Sequence, residues 1–180
     1  MKKVLIGVAI ALVLAVGGLL GAAALQPDEL RVERSATIEA TPEQISPLCT
    51  DLKAWADWNP WHELDPDMEL TYSEPSSGVG ASYSWDGNED AGKGSMKITK
   101  IEPHRVEYDL VFEEPFEDTA TVIIEFEPEQ SDPARTKVTW RMEGENNFMA
   151  KIMFLFMDMD ALLGADFEKG LKNLAAEVEA

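Results

Sequence analysis

The sequence predicts an α+β domain, a curved antiparallel seven-stranded sheet around one long C-terminal helix, carried behind an N-terminal transmembrane helix. Three observations predict it. Strand-like segments, several with clear apolar and polar alternation, recur between residues 30 and 144, separated by turn material. Apolar residues then recur at gaps of three and four from Phe148 to Val178. Ahead of both, Val4 to Leu25 is a run of 22 residues without a charge.

That first run is long enough to cross a hydrocarbon core of about 30 Å as a helix. A cleaved signal peptide has a shorter apolar core, about 7–15 residues, and Ala22-x-Ala24 would serve as its cleavage site. The length favours a retained signal anchor over residues 1–27, with the domain occupying 28–180. Lys2 and Lys3 then place the N-terminus in the cytoplasm and the domain outside, as a single-pass membrane protein. Gly17, Gly18 and Gly21 form a weak small-residue pattern for close approach of two such helices.

Val32, Arg34, Ala36 and Ile38 share one face of a first strand, about 30–39. Thr41-Pro42-Glu43-Gln44 starts a helix, with Thr as N-cap and Pro at the first helical position. Pro47 keeps that helix short or kinked, and a second short helix through Trp55 ends at Asn59-Pro60. Six strands follow at roughly ten-residue spacing, from MELTYS to TKVTWRMEG, as an antiparallel meander. The final stripe runs through Ile152, Phe156, Met159, Leu163, Phe167, Leu171, Leu174 and Val178 as one helix, with Asp158 and Asp160 near its middle.

Apolar residues are 45% and charged residues 27%, a balance that suits a packed domain rather than a disordered one. The net charge of −19 disfavours nucleic acid, because no basic stripe is present to displace phosphate counterions. It equally disfavours charge-driven adsorption to anionic lipid. Cys49 is the sole cysteine, so the fold rests on its core, and a small buried apolar role suits it. His62 and His104 lie in no metal-ligand spacing, and no metal or cofactor is expected. No GxSxG, Walker A or dinucleotide fingerprint occurs, and the Gly78 and Gly92 regions read as hairpin turns. Tyr83, Tyr108, Asp109 and Glu125 fall on strands, where either face is open to them because a bulge would invert the parity.

Two apolar clusters admit more than one reading. Trp55, Trp58 and Trp61 fall within seven positions of WADWNPWHELDP. They cap the junction of helices and sheet, with Asn59 holding the turn, or place Trp58 and Trp61 at a cavity mouth beside His62, two roles that are compatible, or they form a membrane-interface belt, which their distance of about thirty residues from the first helix disfavours. FMAKIMFLFM packs in the core, lines a cavity adaptably or touches a membrane.

RVERSATIEATPEQI, the DLKAWADWNPW corner, GVGASYSWDGNEDAGKGSMKI, TKVTWRMEG and the terminal GADFEKGLKNL together resemble the SRPBCC superfamily. Its helix-grip fold is shared by START domains and Bet v 1 proteins. Within it, the resemblance is to bacterial polyketide cyclase/dehydrase and lipid transport proteins. It covers about 30–177. It implies a hydrophobic small molecule or lipid held in a cavity between sheet and helix. Trp58, Trp61, Trp85, Met153, Phe156 and Met157 are the expected lining. Rival readings are a cyclase- or dehydratase-type enzyme using a strand carboxylate or tyrosine in the same cavity, and a non-catalytic interaction module.

Overall fold

The computed structural model describes residues 2–179. Helix α1 (Lys2–Ala24) leads into β1 (Glu29–Ile38), then α2 (Pro42–Thr50), α3 (Leu52–Trp58) and a 3-10 turn at Pro60–Glu63. The meander follows: β2 (Glu69–Tyr72), β3 (Ser82–Asp86), β4 (Lys93–Glu102), β5 (Arg105–Glu114), β6 (Asp118–Glu129) and β7 (Asp132–Glu145). Helices α4 (Phe148–Met153) and α5 (Met159–Val178) end the chain. All seven strands form one antiparallel sheet in the order β1-β7-β6-β5-β4-β3-β2.

The expected strands are all present, and their alternation decides the inner face. Val32, Met142, Val122, Tyr108 and Ile98 stand in one row across five strands, all buried. On the outer face Arg141 meets Glu33, Glu125 and Glu143, and Arg105 meets Glu107 and Glu125. This charged ladder keeps the outer face wet, while the inner face requires cover.

The two short helices stop where the sequence dictates. Gln44 Oε1 accepts from the Thr41 N–H at 3.0 Å at the start of α2. Asp51 is extended, and its carboxylate accepts from the Lys53 N–H at 3.0 Å, which starts α3 afresh. Asn59 Oδ1 accepts from the Trp61 N–H at 3.0 Å, turning the chain into the 3-10 turn.

One expectation fails here. The helix from Phe148 is not continuous: residues 154–158 break it. Asp158 lies outside the helical interior as the N-cap of α5, its carboxylate accepting from the Ala161 N–H at 3.0 Å. Asn147 caps α4 in the same way through Ala150. The apolar spacing continues across the break, and two polar caps override it.

Helix α5 lies on the β1 side of the sheet. Its main partners are β1, β7, α2, α3 and the 3-10 turn. Arg34, on the inner face of β1, fixes its first turns. The guanidinium donates to both carboxylate oxygens of Asp160, at 2.9 and 3.0 Å, to the Asp160 carbonyl at 2.9 Å and to Glu168 at 3.1 Å. Gly164 makes this possible, because a Cβ there would stand 2.0 Å from Arg34 Nη2. Further along, Gly170 faces Trp140, whose Cζ3 lies 2.5 Å from where a Cβ would sit.

The registers also fix which loops are neighbours. Glu29 pairs with Glu145, Ala120 with Gly144, Phe112 with Asp118, and Lys93 with both Glu114 and Asp86. The β3–β4 turn, the β5–β6 turn and the β7–α4 junction therefore share the end of the sheet that α1 enters. From Val4 to Ala24, α1 has 21 residues, long and apolar enough to cross a membrane. Its side chains are largely exposed, except where its C-terminal end, with Ala23 buried, packs against α4.

Candidate functional site

Trp55, Trp58, Trp140 and Phe167 fill the space between α3, β7 and α5. The Trp55 and Trp58 rings lie 4.3 Å apart, each 5.3 Å from Trp140, and Trp140 stacks on Phe167 at 4.5 Å with 4° between the planes. Trp58 is fully buried and donates its indole N–H to the Leu48 carbonyl at 3.0 Å. Tyr108 Oη donates to the Cys49 carbonyl at 2.6 Å. Burial pushes the Cys49 thiol and the Tyr108 phenol well up, so both stay neutral.

Beside this packed cluster the inner face opens into a cavity of about 330 Å³. Tyr83, Trp85, Met96, Leu110 and Phe112 form its floor on β3–β5. Val122, Trp140 and Met142 close the β6–β7 side, and Trp55, Trp61, Met68 and Leu163 form the cover. Asp90–Gly92 and Glu114–Pro115, in the β3–β4 and β5–β6 turns, stand at its rim with His62 and Leu64. The cavity thus lies toward the α1 end of the sheet.

The floor is shaped by one missing side chain. Gly94 pairs with Trp85, and a Cβ at Gly94 would stand 2.6 Å from the indole ring and 2.3 Å from the Val111 carbonyl. The indole lies across the glycine, and its N–H donates to the Ala91 carbonyl at 3.2 Å. A glycine opposite a tryptophan was the available sequence signal for this platform.

Polar atoms in the lining are few. Trp61 donates its indole N–H to Asp166 Oδ2 at 3.2 Å. The indole nitrogens of Trp55 and Trp140 and Nε2 of His62 are buried with no hydrogen-bond partner in the protein. Burial lowers the His62 pKa, against the opposing pull of Asp57, so the ring is neutral at pH 7. Burial pushes the Tyr83 phenol up.

Of the six residues expected to line a cavity, Trp61 and Trp85 do so. Trp58 does not, because the turn at Asn59 sends it into the packed cluster. Met153, Phe156 and Met157 also lie outside the lining, because the break at 154–158 carries that segment away from the inner face, and Phe156 and Met157 are exposed. Sequence reasoning missed Trp55 and Trp140 as lining, and Met96, Leu110 and Phe112, whose inward parity was legible but whose lack of a covering helix was not. Asp109 is exposed, and Glu125 is spent on Arg105 and Arg141, so neither strand carboxylate enters the cavity.

Solved structures of similar fold include a Chromobacterium violaceum protein, 19% identical over 86% of this chain and 99% of its own, with a TM-score of 0.57. A Rhizobium loti protein is 16% identical over 83% of this chain and 96% of its own, at 0.58. Ara h 8.0201 is 12% identical over 83% and 97%, at 0.52. These likenesses carry the fold, the helix-grip arrangement. No curated protein matches the chain. Residues 29–179 match the family described as polyketide cyclase / dehydrase and lipid transport, and the chain belongs to that family.

Proposed function

We propose that the chain is a membrane-tethered domain that holds a hydrophobic molecule in the cavity between β3–β5 and the Trp55–Trp61 cover, with α1 retained as a single span and the domain exported. The observation that carries this is a cavity walled mainly by apolar and aromatic side chains, among them Tyr83, Trp85, Met96, Leu110, Phe112 and Trp61. Such a site suits an apolar body. Its volume of about 330 Å³ sits at the low end for ligand pockets, so one chain or a small ring system fits and a whole two-chain lipid does not. Apolar burial at about 25 cal/mol per Å² supplies the driving force, less the ordering costs.

Binding is favoured over catalysis by the titratable groups. Among the described residues no hydrogen bond joins His62 or Tyr83 to a carboxylate in the cavity, whereas a cyclase or dehydratase needs a poised acid or base there. Native mass spectrometry of the full chain in mild detergent, followed by organic extraction, tests the reading. An apolar mass at one per chain, lost on Leu163→Trp, is expected. A clean unliganded mass, unchanged after incubation with total lipid extract, would overturn it.

A further inference from the structure

Only residues 25–28 separate α1 from β1, and they are held. The Asp28 carbonyl accepts from the Asn146 N–H at 2.7 Å, and the Pro27 carbonyl accepts from Asn146 Nδ2 at 3.1 Å. Lys151 on α4 pairs with the Asp28 carboxylate. Even fully extended, four residues reach only about 14 Å. The end of the sheet that α1 enters, and with it the cavity rim, stays beside the point where α1 meets lipid.

Exposed apolar side chains concentrate at that same end. Phe116, 63% exposed, tips the β5–β6 turn next to Pro115 of the cavity rim, and Leu64 and Leu162 flank the cover. Four more belong to the segment 148–157 packed near α1, with Phe156 at 75%. Among the described residues outside α1 and its tether, the one other large apolar side chain more than two-fifths exposed is Val79, at the opposite end of the sheet. So lopsided a distribution marks an interaction surface rather than scattered exposure.

We infer that this apolar rim is seated in the interfacial layer of the bilayer that holds α1, so that the cavity mouth opens into lipid and its ligand enters sideways from the leaflet. The occupant is a neutral, zwitterionic lipid surface. Glu89, Asp90, Glu113, Glu114 and Glu117 border the rim on a chain of net charge −19, and they repel anionic headgroups. This rests on α1 being a retained span.

Four variants of the full chain, each with one added cysteine, test it: Leu14→Cys in α1, Phe116→Cys and Phe156→Cys on the rim, and Val79→Cys at the far end. Native Cys49 is fully buried and stays in place. Each variant is labelled with an environment-sensitive dye and reconstituted in phosphatidylcholine vesicles with and without doxyl-labelled phosphatidylcholine. Quenching of roughly twofold or more at 116 and 156, as at 14, with none at 79, is expected for side chains about 5–10 Å into the interface. Quenching at 14 with 116 and 156 as silent as 79 would sink the seated rim and leave the span standing. Silence at 14 as well removes both. Adding phosphatidylglycerol weakens the signal at 116 if the charge argument is right; a stronger signal would overturn the choice of a neutral surface.

Discussion

The β1 side and the β3–β5 side of this sheet carry similar inward residues and end up differently. On the first, Val32, Val138 and Trp140 share one buried cluster with Phe167, Leu171 and Leu174, and one face of Trp140 stacks on Phe167. On the second, Tyr83, Trp85, Met96, Leu110 and Phe112 face a cavity. Hydrophobic character does not separate the two halves. What separates them is where one helix can settle, and Arg34, Gly164 and Gly170 settle α5 on the β1 side. A helix about 10 Å wide cannot cover seven strands spaced about 4.8 Å apart, so close packing on one side leaves a gap on the other.

The sharpest way to break the contrast is to delete one large apolar side chain on each side. Phe167→Ala on the packed side should cost about 3–5 kcal/mol, because it opens a new void under Trp140. Leu110→Ala on the hollow side should cost roughly 2 kcal/mol, the transfer term alone, and should weaken ligand binding more than it lowers stability. Denaturant titrations of the two variants check this, and equal losses would mean that the cavity collapses in solution.

Adding atoms is the converse and has a smaller effect. Gly170→Ala would set a Cβ against Trp140 and Pro60, costing about 1–3 kcal/mol of stability. Leu163→Trp, pointed at existing space, should leave the melting temperature level or raise it while abolishing ligand retention. Arg34→Met comes next. It removes ion pairs to the largely exposed Asp160 and Glu168, so a small loss of stability is expected, and the wild type should lose part of that margin in high salt while the variant does not.

The smallest effect is from pH. The folded pKa of His62 lies below its ordinary 6.5 because of burial. Its stabilising contribution is complete above 6.5 and is lost as pH falls from there through the lowered folded value. Binding of an apolar probe should weaken over the same window, and His62→Gln should flatten the profile. A fluorescent fatty acid titrated at pH 8 and pH 5 provides the measurement.

The strands were legible in the sequence because a period of two survives any helix placement. The start of α2, the restart at Asp51 and the turn at Asn59-Pro60 were legible for local reasons as well. The break before α5 was written in Asp158, yet the apolar spacing of Phe156, Met159 and Leu163 spoke louder. That error displaced the expected lining, since an unbroken helix would have carried Met153, Phe156 and Met157 along the sheet. Trp58 and Trp61 show the limit at finer scale. Three residues apart, they part company at one proline, into core and cavity cover. The location of the cavity itself is a property of packing between elements distant in sequence, and no local pattern encodes it.

The four-residue connection between α1 and β1 also limits what kind of work the domain can do. A domain on a long flexible leash could ferry cargo across an aqueous gap between two membranes. With α1 retained as a span, as proposed, this one has no such reach. It would act as a fixed berth in its own leaflet, and any onward delivery would depend on a mobile partner that comes to it.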